Sequence, residues 1–107
     1  MLSPRALNRA VLARQLLLER VEPVAERAVE SVLEAVAGLQ TQYAPSGYVG
    51  LWSRLRGFRR AELTDALTAG RVVQAWAMRA TIHMVSANDF PLITAAVRQA
   101  RRTWWLR

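Results

Sequence analysis

The 107-residue chain contains no cysteine, no lysine and only one histidine. Without cysteine there is no disulfide framework, no thiolate metal site and no cysteine nucleophile. The lone histidine, His83, cannot form a multi-histidine metal cluster. No apolar run approaches the ~18 residues that a membrane span requires. G-x-S-x-G, phosphate-cradling glycine loops and metal-ligand spacings are all missing, and so are internal repeats and low-complexity tracts. The expectation is a cytoplasmic protein with no membrane partner, no metal and no cofactor. The first twenty residues are rich in arginine and poor in acid, as in a transit peptide, but their periodicity favours a structural helix.

What the chain does hold is apolar residues, 52%, and arginine. The length and this apolar share suit one compact domain with a buried core. All fifteen basic residues are arginine, and the net charge is +7. Residues 1–53 are neutral, with five arginines and five glutamates, whereas ten arginines against Glu62, Asp65 and Asp89 place the whole excess in residues 54–107. A one-sided positive field attracts polyanions, nucleic acid first among them; a merely solubilising surface is the plain alternative.

Local signals divide the chain into elements. Ser3-Pro4 reads as an N-cap and first helical residue, opening a helix to about Glu19 with an apolar stripe of Leu7, Ala10, Val11, Leu17 and Leu18. Pro23 opens a second helix with Ala25, Val29, Val32, Leu33 and Val36 inward and Glu26, Glu30 and Glu34 along an exposed edge, ended by Gly38. Residues 38–57 form the least regular stretch, with one short helix near Leu51–Leu55. A third helix spans Arg60 to about Ala69, burying Leu63 and Leu67 before Gly70. Residues 72–85 read as a strand pair that turns near Arg79-Ala80. Ser86-x-x-Asp89 starts a last helix carrying Leu92, Ile93, Ala96, Val97 and Ala100, with Pro91 delaying its beginning. The fold class is thus mainly α: residues 1–107 form a single unit with the outline of a winged helix, three helices followed by a small β-hairpin. The terminal Trp104 and Trp105 call for a surface to pack on, in a further unit or another subunit, as in a fragment of a longer protein.

Few residues offer chemistry. In an extended segment, residues two apart share a side, so Gln40 and Gln42 can converge on one point; on a helix they would splay by roughly 200°. The alternative is that both amides satisfy loop backbone groups. His83 shares a strand face with Thr81 and Val85, either at a nucleic-acid surface or half-buried with one backbone hydrogen bond. Trp52, Trp76 and Phe58 read as core rather than base-stacking platforms. Arg54, Arg56, Arg59 and Arg60 cluster around Gly57-Phe58, as phosphate contacts or as solvated surface.

Several blocks together resemble a known family. They are Leu7-Asn8-Arg9, Ala13-Arg14-Gln15-Leu16-Leu17-Leu18, Gly38-Leu39-Gln40-Thr41-Gln42, Tyr48-Val49-Gly50-Leu51-Trp52-Ser53-Arg54-Leu55, Met78-Arg79-Ala80-Thr81-Ile82-His83-Met84-Val85 and Ser86-Ala87-Asn88-Asp89-Phe90. In this order the set looks like the N-terminal part of the AlkZ/YcaQ-like winged-helix DNA glycosylases. The resemblance implies one lobe of a multi-unit winged-helix protein that binds double-stranded DNA and hydrolyses the N-glycosidic bond of N-alkylated purines such as N7-alkylguanine or its crosslinks. It also implies a catalytic Gln-x-Gln motif at Gln40 and Gln42, with Thr41 departing from the aliphatic middle residue. Arg54, Arg79 and His83 lie in matched blocks and are assigned to the DNA-contacting set. The rival is a non-catalytic winged-helix module for DNA or protein binding.

Overall fold

The computed structural model describes residues 1–23, 27–77, 79 and 81–105, with side chains through residue 98. Helix α1, Pro4–Arg14, starts as its sequence requires: Ser3 Oγ accepts the Ala6 N–H at 3.1 Å and Pro4 occupies the first turn. It stops five residues before Glu19, because Leu16 turns to a φ of +60° and packs on the core. No α1 residue is buried, and Leu7 and Val11 are more than half exposed. An apolar stripe is buried only where the fold supplies a partner face, and the described residues supply none here.

Helix α2, Ala28–Val36, begins later than Pro23, and residues 24–26 (with the expected Ala25 and Glu26) lie outside the described residues. Val29, Val32 and Leu33 are buried as the periodicity requires. Glu30, expected on the exposed edge, is instead 2% exposed and flanked by Arg27 and Arg71. Ala37, not Gly38, holds the left-handed cap position, and Gly38 follows at a φ of +98° with its N–H donating to the Leu33 carbonyl at 2.8 Å. This double left-handed step turns the chain directly into β1, Leu39–Gln40.

The irregular stretch is more ordered than its punctuation suggests. Helix α3 spans Ser46–Arg54, not only Leu51–Leu55. Its glycines are contacts, not breaks: a Cβ at Gly50 would lie 2.9 Å from Leu39 Cδ1, and one at Gly47 3.1 Å from Met84 Cε. Their bareness lets α3 sit close on the sheet. Helix α4 runs over Arg60–Thr68, with Glu62 Oε1 accepting the Arg59 N–H at 3.2 Å and Leu63 and Ala66 buried; Leu67 is partly buried against the core.

Strands β2, Val72–Trp76, and β3, Ile82–Ser86, form the expected hairpin, with Arg79 at a φ of +60° in the turn. β1 adds antiparallel to the far edge of β3, so the strand order is β1-β3-β2. Ser86 Oγ then accepts the Asp89 N–H at 3.1 Å and α5, Phe90–Trp105, begins beyond it. On α5, Leu92 is exposed and not inward, Ala96 is exposed, and Ile93 and Val97 are half-buried; Ala100 and the side chains of Trp104 and Trp105 lie outside the described residues.

Helices α2, α3 and α4 cover one face of the sheet. Leu33, Leu51, Leu55, Leu63, Ala66, Val72 and Met84 are all at most 1% exposed there. Each buried leucine contributes about 1.5–3 kcal/mol of transfer free energy, so this layer holds the domain together. Phe58 packs on it, but Trp52 and Trp76, read as core from sequence, are each about half exposed. Trp52 carries the Arg20 guanidinium 4.3 Å over its ring instead. No helix among the described residues is long and apolar enough to cross a membrane.

Candidate functional site

The register of the sheet decides which polar residues meet. β1 and β3 align Leu39 with Met84 and Gln40 with His83, while β2 and β3 align Gln74 with Met84 and Ala75 with His83. Directly paired residues of antiparallel strands share a face. Leu39, Met84 and Val72 belong to the core, so Gln40, His83 and Ala75 stand on the opposite face. Burial alternates accordingly: Leu39 buried, Gln40 exposed, Thr41 buried, Gln42 exposed. The two glutamines thus lie in an extended segment at alternate, exposed positions.

Their environments differ. The Gln42 side-chain carbonyl accepts the Ile82 N–H at 2.9 Å, standing in for a ladder acceptor at the end of the sheet. The backbone alternative considered from sequence therefore holds for the Gln42 carbonyl. Gln40 has no side-chain partner among the described residues. Thr41, between them, points to the core side, where its Oγ1 accepts from Gln74 Nε2 at 3.2 Å.

His83 is 8% exposed. Its Nδ1 lies 3.2 Å from the Thr81 carbonyl and 3.4 Å from Thr81 Oγ1. A proton on Nδ1 lets the ring donate to the Thr81 carbonyl, whereas a bare Nδ1 accepts from the Thr81 hydroxyl. His83 is thus a mostly buried strand residue whose Nδ1 lies within hydrogen-bond distance of a backbone carbonyl.

Arg54 also departs from expectation. It is 9% exposed; Nε donates to the Gln15 carbonyl at 2.8 Å, an Nη donates to the Gly50 carbonyl at 3.0 Å, and the other Nη reaches Gln15 Oε1 at 3.5 Å. Desolvation by burial lowers its pKa from the usual arginine value. It is a strut tying the end of α1 to α3, with its donors directed at Gln15 and Gly50. Arg79, by contrast, is exposed at the hairpin turn.

Of the remaining arginines in the basic half, Arg56 pairs with Glu22, and Arg71 reaches Glu30 at 3.5 Å. Arg59, Arg60, Arg79 and Arg98 are exposed and have no ion pair among the described residues. No group of three or more histidine, aspartate or glutamate residues able to hold a metal is present among the described residues.

What sequence reading missed is the partnership across strands. It placed Gln40 and Gln42 in a loop and His83 in a separate hairpin, because a two-residue strand leaves no periodic signal. The one available trace is the alternation of Leu39 and Thr41 with the two glutamines.

Two exposed amides at the end of an edge strand, in a chain that also exposes Arg59, Arg60, Arg79 and Arg98, are residue types that suit a nucleic-acid-processing protein. Residues 33–107, more than half of the chain, match the family model of a DNA glycosylase. The family is that of the AlkZ-like DNA glycosylases, and the chain belongs to it. The match takes in β1, both glutamines, the hairpin and α5, and leaves α1 outside. No curated protein and no solved structure matches the chain.

Proposed function

We propose that this chain is a winged-helix unit of a monofunctional DNA glycosylase that releases N-alkylated purines from double-stranded DNA. The order α2-β1-α3-α4-β2-β3, with β3 central in the sheet, supports the winged-helix reading. Arg59 and Arg60 at the start of α4 and Arg79 at the hairpin turn would contact phosphates, which position a protein on the duplex without reading its sequence.

The observation that carries the catalytic reading is the exposed, alternating placement of Gln40 and Gln42 within the family-matched region. Breaking an N-glycosidic bond builds oxocarbenium character on the sugar. A glutamine amide does not titrate usefully, but its carbonyl dipole can hold a water and face developing positive charge. Neutral amides suffice when the leaving base is already cationic, as N7-alkylguanine is. Water oxygen bonds to C1′, the C1′–N9 bond breaks, its electron pair neutralises the purine, and the water's extra proton passes to solvent. Gln40, whose amide is uncommitted among the described residues, is the residue that positions the water; Gln42 holds the edge of the site through Ile82. The reaction written this way draws on no metal and no cofactor.

The test is single-turnover release of N7-methylguanine from duplex DNA. Gln40→Ala is expected to slow it about 100-fold, the usual cost of losing one preorganised electrostatic group. An unchanged rate removes the assignment. A second reading, a non-catalytic DNA-binding module, draws on the commitment of the Gln42 carbonyl to the backbone. Protection of one DNA sequence irrespective of lesion would favour it.

A further inference from the structure

His83 is the residue that the assignment above leaves unused. The Thr41 N–H donates to the Ile82 carbonyl at 2.9 Å, which makes Thr41 and Ile82 a hydrogen-bonded pair. Pairs alternate along an antiparallel ladder, so Gln40 and His83 form the neighbouring, closely spaced kind, with Cα atoms about 4.5 Å apart and side chains nearest one another. On its other side His83 faces Ala75, whose methyl group offers no polar contact. The imidazole Nδ1 is committed to Thr81. Nε2, without a partner among the described residues, is the remaining polar atom of a ring that is 8% exposed. Gln40, its partner across the ladder, carries an amide without a partner among the described residues.

We propose that His83 is a positioning residue for Gln40. Rotation of the exposed Gln40 side chain toward its ladder partner brings one amide N–H to His83 Nε2, and this contact turns the Gln40 carbonyl outward, toward the water and the sugar. The proposal assigns the tautomer in which Nδ1–H donates to the nearer Thr81 oxygen, the carbonyl at 3.2 Å, which makes Nε2 an acceptor. Thr81-Ile82-His83, at the start of β3, thereby acts as the counterpart of Gln40-Thr41-Gln42, at the end of β1, one segment supplying the amides and the other orienting them. An amide free to flip would present N–H as often as C=O to a developing cation, so fixing its sense is what preorganisation means at this site. The inference rests on the catalytic reading of Gln40, but the contact itself can be measured without turnover.

The first measurement is 15N NMR of the imidazole ring in the 107-residue chain. The expected spectrum shows a proton on Nδ1, an unprotonated Nε2, and an Nε2 resonance that moves on Gln40→Ala. A proton on Nε2 in the neutral ring, or an Nε2 resonance indifferent to Gln40→Ala, overturns the proposal. The second is N7-methylguanine excision and DNA binding by His83→Gln and His83→Asn. Glutamine places an acceptor near the former Nε2 and is expected to stay within a few-fold of wild type. Asparagine reaches only the former Nδ1 position and is expected to lose on the order of 10-fold in single-turnover rate with unchanged DNA affinity, less than loss of a direct electrostatic group. Rescue by asparagine and not glutamine, or a loss confined to affinity, overturns positioning in favour of a structural or binding role. Full excision by Gln40→Ala defeats the catalytic reading itself, while the ring resonances still report whether the contact forms.

Discussion

The Gln42 side-chain carbonyl accepts the backbone N–H of Ile82, a residue forty positions away, at 2.9 Å. One of the two candidate site residues thus helps to hold the edge strand in the sheet, and the other does not. This asymmetry separates stability from activity within a single motif.

Gln42→Ala is expected to lower stability by about 0.5–1.5 kcal/mol, the net worth of one hydrogen bond, because it removes the acceptor for the Ile82 N–H. Gln40→Ala is expected to change stability by less than about 0.5 kcal/mol, because an exposed amide exchanges its contact with His83 for water at little net cost. Urea unfolding of the two variants measures both values. Equal losses would mean that the two amides are used alike.

Glu30 is a buried carboxylate, 2% exposed, between Arg27 Nε at 3.3 Å and Arg71 Nε at 3.5 Å. Removing one member of a fully buried ion pair costs about 3–5 kcal/mol because a charge is left stranded. Here the arginines are 58% and 46% exposed, so water takes over their solvation. Glu30→Ala is therefore expected to cost about 1–2 kcal/mol, below that buried-pair range. Chemical denaturation reads the difference, and a loss near zero would show that the ion pairs are idle.

Arg54→Ala removes donors from the Gln15 and Gly50 carbonyls. Hydrogen bonds from charged groups are worth about 1.5–3 kcal/mol, so a destabilisation of that size is expected. Hydrogen exchange should rise first around Gln15 and Leu16, which the guanidinium ties to α3. The salt dependence of DNA binding should not change, because this arginine faces inward. A reduced salt slope would restore Arg54 to the phosphate-contacting set.

Arg79 holds a φ of +60°, a left-handed conformation that costs a non-glycine residue about 1–2 kcal/mol. Arg79→Gly is expected to raise the melting temperature while weakening DNA binding and reducing the slope of log K against log salt by about 1. Opposite movements of stability and affinity are the signature of a residue kept for a contact. Unchanged affinity would leave the strain without a function.

Much of the architecture was legible one element at a time. Ser3-Pro4, Leu63 between Arg60 and Gly70, the β-branched run after Val72 and the Ser86 cap all act through neighbours within a turn or two, and each formed where its local chemistry placed it. The family blocks were legible for the same reason, since the resemblance rests on residue types in a fixed local order. Assignments that needed a partner distant in sequence went astray. Leu7 and Val11 found no face to cover them, Glu30 was drawn under two arginines, Arg54 turned inward to Gln15, and Gly47 and Gly50 proved to be points of close approach.

The sequence by itself determined the inventory: neutral amides, one imidazole, an arginine excess confined to one half, and the short-range signals for each helix and strand. The tertiary structure alone decided that β1 pairs with β3 in a register setting Gln40 opposite His83, and which arginines remained available to a phosphate. A side chain's type and its neighbours within one turn are properties of the local chain. Which face it shares, and with whom, follows from a strand register that long-range packing sets, and two residues of β1 are too few to encode it alone.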